Sequence, residues 1–171
     1  MLFQHTWKYV ISGQKTQNRR LVQEGDYAVV DEVNPDRPIL KVIRTVDAGV
    51  PKLLYEVGKT YSVQPGLAKK TVGNIRLTAI HRERLQDLTE AEILKELPIT
   101  SMEEGISDAQ WALRTFMATW NIMNSEPGTR WEDNPEVWVL EFEPALKATP
   151  KKRSSFPSRS QTQFGNEMEK S

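Results

Sequence analysis

The sequence predicts an α+β fold in which a small, curved or closed β-sheet is covered at its ends by helices. Short segments with alternating or β-branched apolar residues predict several strands. Only a few segments have helical periodicity, and two of them begin with a capping box. Strand and helix signals do not alternate regularly along the chain, so a doubly wound parallel sheet is not expected.

A short amphipathic helix is predicted near the N-terminus. Phe3, Trp7, Val10 and Ile11 are spaced so that they share one helical face. Gly13 follows and suits the left-handed conformation in which helices commonly end. The next residues are therefore expected to lie on irregular or extended backbone.

Strand signals occupy the first half of the chain and return near its end. The runs are bounded by turn residues such as Gly25 and Pro38. Gly58 lies between two runs and predicts a tight hairpin, because glycine supplies the positive φ that such a turn requires. The predicted strands are 27–33, 39–46, 53–57, 60–64, 75–81 and 137–142.

Two further helices are predicted by their N-terminal signatures. Thr89 precedes Glu92 by three positions and Ser107 precedes Gln110 in the same way, as in capping boxes. The first of these helices is expected to stop before Pro98. The second carries a wide apolar stripe that is predicted to be core, formed by Ala109, Leu113, Phe116, Met117 and Trp120.

Composition excludes several classes of function. The 171 residues are 38% hydrophobic, which suffices for one core, and 23 basic and 23 acidic residues create no overall field for a polyanion. Cysteine is absent, which excludes disulfides, thiolate metal sites and thiol nucleophiles. His5 and His81 fit no metal-ligand spacing. Neither a metal site nor a cofactor is predicted.

The sequence is expected to divide into one domain, residues 1–145, and a disordered basic tail, residues 146–171. The tail is rich in Ser, Pro, Lys and Arg and has few apolar residues to offset the entropy of ordering. It could add salt-sensitive affinity for RNA or engage a protein partner. No basic leader and no apolar run of ~20 residues is present, so a cytoplasmic protein without membrane contact is expected.

The segment after the first helix carries the strongest functional signal. It holds Lys15, Arg19 and Arg20 within a few residues of Gly13. Lysine is a mobile point charge, and arginine can fork onto a phosphate or a carboxylate. Two interpretations stay open, an anion-binding turn and a solvated basic loop.

Several motifs, in their order along the chain, resemble those of the ASCH domain family. They are Gly13-x-Lys15-x-x-x-x-Arg20, Gly25-Asp26, Tyr55-Glu56-Val57-Gly58-Lys59, Arg84-Leu85-Gln86-Asp87-Leu88, Glu104-Gly105-Ile106 and Asn134-Pro135-Glu136-Val137-Trp138-Val139-Leu140-Glu141-Phe142. The resemblance covers residues 1–145. It implies a PUA-like small β-barrel with mixed, mostly antiparallel strands and flanking helices.

The resemblance also implies candidate functions. Family members are regarded as RNA-binding modules, a ribonuclease activity has been ascribed to one, and some small members are amidohydrolases that deacetylate N4-acetylcytidine. The resemblance to the amidohydrolases points to Lys15 and Glu104 as catalytic residues. Their essential threonine would fall at Asn18, and an asparagine amide is not a competent nucleophile. Thr16 lies two positions earlier, and whether this chain is an enzyme stays open.

The leading hypothesis is an RNA- or modified-nucleoside-binding domain with a cationic cleft. The alternatives are a small amidohydrolase acting on N4-acetylcytidine-like nucleosides and a protein-interaction module. Glu104 has a second interpretation, because carboxylates are favoured near a helix N-terminus. The predicted ligand-binding residues are the basic Lys15, Arg19, Arg20, Lys69, Lys70 and Arg76, with Tyr61 and Trp131 as stacking aromatics.

Overall fold

The computed structural model describes residues 1–46 and 49–145. This part of the chain is mixed α+β, with two antiparallel sheets and three helices, which confirms the predicted class. The predicted tail, 146–171, lies outside the described residues. The elements are α1 (Trp7–Ile11), β1 (Gln17–Leu21), β2 (Asp26–Val30), β3 (Ile39–Val46), β4 (Val50–Glu56), β5 (Thr60–Val63), β6 (Gly73–Arg84), α2 (Glu90–Glu96), α3 (Asp108–Met123) and β7 (Glu136–Ala145).

The larger sheet has the strand order β1-β7-β6-β5 and places β7 between two cores. Trp138 and Leu140 of β7 belong to one buried cluster, whereas Val137 and Val139 belong to another that includes α2 and α3 residues. Successive side chains of a strand point to opposite faces, so a strand that is apolar at every position is covered on both. The sheet is therefore the partition between the two cores.

The smaller sheet has the order β2-β3-β4 and covers the first of these cores. Val42 of β3 is fully buried in this cluster. Asp26 at the start of β2 accepts hydrogen bonds from Arg44 Nε at 2.6 Å and from the indole Nε1 of Trp138 at 3.1 Å. The second bond ties the smaller sheet to the central strand of the larger one.

The predicted hairpin around Gly58 is wrong in its pairing. Gly58 does form a turn at a φ of 82°. However, β4 pairs with β3, and β5 pairs with β6. The turn carries the chain from one sheet to the other, because Val57 N donates to Leu40 O at 2.9 Å while Gly58 N donates to Leu77 O at 2.8 Å. The described strand pairings therefore give two sheets joined at this corner.

The helices α2 and α3 follow their predicted start signals, whereas α1 begins only at Trp7, so Phe3 of the predicted helical face lies before it. Thr89 accepts from the backbone N–H of Glu92, Ser107 accepts from that of Gln110, and both capping boxes are complete. The helix α1 is a short element, and Val10 is its buried residue. Within the described residues, no helix has the length and apolarity needed to cross a membrane.

Candidate functional site

A cleft of about 430 Å³ lies between the N-terminal segment, β1 and the helices α2 and α3. Its polar lining consists of Lys15, Asn18, Arg19, Arg20 and Glu96, together with residues of the N-terminal segment and α3. The strand β1 is at the edge of the larger sheet, and three of its residues, Asn18, Arg19 and Arg20, are among those that line the cleft. The predicted basic segment thus lies in a concave site.

Local backbone geometry places Lys15 inside the cleft. Gly13 ends α1 with a φ of 78°, the left-handed conformation predicted from the sequence. The backbone N–H of Lys15 then donates to Tyr9 O at 3.0 Å, and that of Thr16 donates to Lys95 O at 3.0 Å. These bonds connect the start of β1 to both α1 and α2.

Lys15 forms a buried ion pair with Glu96. The two residues are 2% and 5% exposed, and Lys15 Nζ lies 2.9 Å from Glu96 Oε1. The ammonium also donates to the backbone carbonyl of Glu96. Burial lowers the pKa of Lys15, although the attraction of Glu96 opposes this shift. Lys15 is therefore a better proton donor than an exposed lysine.

Arg19 anchors the floor of the site. Its side chain is fully buried; Nε donates to Glu83 Oε1 at 2.8 Å, and Nη1 donates to Glu96 Oε2 and Gln17 Oε1, both at 3.3 Å. Nη2 lies 2.7 Å from Glu83 Oε1, but it makes no hydrogen bond of good geometry. These contacts join β1 to β6 and α2. They hold the Glu96 carboxylate beside Lys15.

A second group of ionisable residues lies on the far side of Arg19. His81 Nε2 is 3.4 Å from Glu83 Oε2, and this hydrogen bond raises the pKa of His81. Burial opposes ionisation of Glu83, but His81 and Arg19 together lower the pKa of its carboxyl group. Ligand atoms of His81, Glu83 and Glu92 lie within 4.8 Å of one another.

That group is explained by its cationic neighbour rather than by a metal. Arg19 Nη2 lies 2.7 Å from Glu83 and 3.8 Å from Glu92, so a guanidinium already supplies the positive charge. Sequence spacing did not indicate the group, because His81 lies on β6 and Glu92 lies on α2.

Asn18 has an unsatisfied donor in the cleft. The residue is 9% exposed, and its buried Nδ2 has no hydrogen-bond partner among the described residues. Leaving a buried polar group unpaired costs about 1–3 kcal/mol. A ligand with an acceptor atom in the cleft would relieve this cost. The position at which the amidohydrolases' threonine would fall therefore carries an amide with a free donor among the described residues.

Arg20 is half-buried at the entrance to the same cleft. Its Nη2 donates to Leu2 O at 3.0 Å, which ties the N-terminal segment to β1. This bond uses one of the five N–H donors that a guanidinium carries. Arg20 thus retains donors for an anionic or polar ligand group.

The other predicted site residues lie elsewhere. Glu104 is exposed in the segment between α2 and α3 and does not line the cleft. Lys69 and Lys70 are exposed between β5 and β6, and Arg76 on β6 pairs with Glu143. None of these three basic residues lines the cleft.

The two predicted stacking aromatics are half-buried and packed against the cores. The hydroxyl of Tyr61 accepts the backbone N–H of Glu56 at 2.8 Å. The ring of Trp131 meets Phe116 edge-on at 6.2 Å between centroids. Neither aromatic lines the cleft.

Sequence reasoning missed Glu96, the carboxylate nearest Lys15. A signal was present, because Glu96 lies three positions after Ile93 and so shares the buried face of α2. An acidic residue at such a position indicates a buried cation partner.

Comparisons with known proteins give two similar structures. No family model matches the chain, and no curated protein matches it. An ASCH domain from Lactobacillus crispatus is 14% identical, with a TM-score of 0.49 over 81% of this chain and 69% of the other. A DUF984 protein from Enterococcus faecalis is 11% identical, with a TM-score of 0.49 over 81% and 68%. The first belongs to the family that the sequence motifs resemble.

Proposed function

We propose that the cleft binds a single nucleobase-sized ligand, either a modified nucleoside or one base of an RNA. The observation that carries this proposal is a cleft lined by the buried Lys15–Glu96 pair and by Asn18, whose Nδ2 has no partner within residues 1–46 and 49–145. Its volume of about 430 Å³ lies within the about 300–1,000 Å³ of small-molecule sites. The proposal includes a PUA-like barrel built from both sheets and a cytoplasmic location.

The apolar lining supports a planar ligand. Phe3, Phe116 and Trp120 contribute to the walls. The rings of Phe116 and Trp120 lie 5.7 Å apart, and the indole N–H of Trp120 donates to Thr129 O at 2.8 Å. A wall fixed in this way suits the flat faces of a heterocycle.

The distribution of charge supports a small ligand rather than a long polyanion. Lys15 and Arg19 are held by carboxylates, so their charges are largely compensated within the site. Arg20 is the cation placed to meet a sugar or phosphate group. Because Lys69 and Lys70 do not line the cleft, an RNA ligand would be recognised through one base and few phosphates.

Isothermal titration with uridine, cytidine and N4-acetylcytidine tests this proposal. We expect at least one nucleoside to bind the wild-type protein, with affinity reduced about tenfold or more by Arg20→Ala. Lys69→Ala is the matched control, since it removes an exposed basic side chain away from the cleft. Equal losses in both variants, or no binding by the wild type, would contradict the proposal.

A second candidate function is the hydrolysis of an acylated nucleoside, which the Lys15–Glu96 pair favours. Glu96 would take a proton from a water molecule while the water oxygen attacks the amide carbonyl carbon. Lys15 would donate a hydrogen bond to the developing oxyanion. The C–N bond then breaks, and Glu96 returns the proton to the leaving nitrogen. This route uses water because Asn18 supplies no nucleophile.

Chromatographic detection of cytidine released from N4-acetylcytidine tests the hydrolase. We expect Glu96→Gln to abolish release, since an amide cannot accept the proton from water. Glu104→Gln changes the other candidate carboxylate, which lies outside the cleft, and should leave the rate unchanged. Release that survives Glu96→Gln but not Glu104→Gln would assign the base to Glu104. The protein-interaction alternative depends on residues 146–171 and remains a prediction.

A further inference from the structure

We propose that Asn18 is a specificity-determining residue that reads a carbonyl oxygen on the inner edge of the bound base. This inference rests on the proposed nucleobase-binding function and deepens it. The observation behind it is that Asn18 is one of the residues lining the cleft and that its Nδ2 is buried and has no acceptor among the described residues.

The donor is fixed in position by the strand that carries it. Asn18 lies within β1 and is paired with Leu140 of the central strand β7. On either side of it, Gln17 and Arg19 are buried and hydrogen-bonded to each other on the opposite face of the strand. The backbone of Asn18 is therefore held in a defined place beside the cleft.

The partner atom is a neutral acceptor. Nδ2 is a donor, and it pairs with a carbonyl oxygen but not with an amino group. The carboxylate of Glu96 lies in the same cleft and is already shared by Lys15 and Arg19. A second carboxylate or a phosphate placed this deep would face Glu96, whereas a keto oxygen carries no net charge.

The connectivity of a nucleoside decides which oxygen reaches Asn18. The sugar is attached to the ring at one end, and the edge opposite the glycosidic bond is the part that enters a cleft most deeply. In a pyrimidine this edge is position 4, which bears a carbonyl oxygen in uridine and an amino group in cytidine. Asn18 should therefore favour uridine, with the sugar directed towards Arg20.

Calorimetric affinities of uridine and cytidine for three proteins test the inference. We expect the wild type to bind uridine about tenfold more tightly than cytidine. The carbonyl oxygen of uridine accepts a hydrogen bond from Asn18, whereas the amino group of cytidine would place one donor against another. In Asn18→Asp, at a pH high enough to ionise the new carboxyl group beside Glu96, the same position offers only acceptors, so the preference should turn towards cytidine. Asn18→Leu keeps the number and branching of the side-chain heavy atoms without polar groups and should bind both nucleosides with similar affinity.

The Tm of the ligand-free protein tests the role of Asn18 independently of nucleoside binding. If Asn18 serves a ligand and not the fold, Asn18→Leu should have a Tm equal to or above that of the wild type, because an unsatisfied donor is removed. A marked fall in Tm would overturn the inference by showing that Nδ2 has a structural partner.

The outcomes separate this inference from the proposed function. Nucleoside binding that is equal for uridine and cytidine in the wild type, or a uridine preference that persists in Asn18→Leu, overturns the role of Asn18 alone. Absence of binding by the wild type overturns both. A reversed preference in Asn18→Asp, with the wild-type preference lost in Asn18→Leu, supports the inference even if the Asp variant is less stable.

Discussion

Two sets of basic residues in this protein have opposite surroundings. Lys15 and Arg19 are buried and held by carboxylates, whereas Lys69, Lys70 and Arg76 are exposed and away from the cleft. Burying a charge is costly unless it is paired and hydrogen-bonded, so the buried set is organised in a way that the exposed set is not. The comparison teaches that burial and pairing, rather than the density of positive charge, mark the candidate site.

The largest effect is expected from Arg19→Met. This change leaves the carboxylates of Glu83 and Glu96 without their shared guanidinium, and breaking a buried pair costs about 3–5 kcal/mol. Chemical denaturation should show this loss in the free energy of unfolding. The matched change Arg76→Met breaks an exposed pair with Glu143 and should cost at most about 1 kcal/mol. Equal losses of unfolding free energy in the two variants would contradict the difference between the buried and the exposed basic residues.

The next effect concerns the Lys15–Glu96 pair itself. Lys15→Met and Glu96→Leu should each destabilise the fold by up to about 3 kcal/mol, because the first leaves Glu96 with Arg19 alone and the second leaves the buried Lys15 without a carboxylate. The double variant should lose less than the sum of the single losses, with a coupling of about 1 kcal/mol or more in a double-mutant cycle. Additive losses would show that the two side chains do not act as a pair.

The smallest effect is a pH dependence set by His81. The hydrogen bond to Glu83 raises the pKa of His81 in the folded state, so its stabilisation is complete below the unfolded value of about 6.5. This stabilisation disappears as pH rises through the raised folded pKa. The difference in Tm between wild type and His81→Gln should therefore be larger at about pH 5.5 than at about pH 8.5. The exposed His5 provides the control His5→Gln. A Tm difference between wild type and His81→Gln that is larger at the higher pH would contradict a raised pKa of His81 in the folded state.

Local signals in the sequence were sufficient for the helix starts. The capping boxes at Thr89 and Ser107 depend on residues three positions apart, and both are present as predicted. The left-handed turn at Gly13 is similarly local, and it places the basic segment where β1 begins. These features depend on residues that are close in the sequence, which is why the sequence alone predicts them.

Long-range pairing was the part that the sequence left undetermined. The turn at Gly58 was predicted, but whether β4 pairs with β5 or with β3 depends on residues far along the chain. The partner of Lys15 was undetermined for the same reason, because Glu96 lies 81 positions away. The sequence also cannot show that the donor of Asn18 is unsatisfied, because this requires the positions of all neighbouring acceptors.

NMR chemical-shift mapping during a uridine titration would locate the binding site residue by residue. We expect the signals of the Asn18 side-chain amide and the Trp120 indole N–H to shift on saturation, while those of the Lys69 and Lys70 backbone amides stay in place. Shifts that are confined to Lys69, Lys70 and Arg76 would contradict it and would locate binding on the exposed basic residues instead.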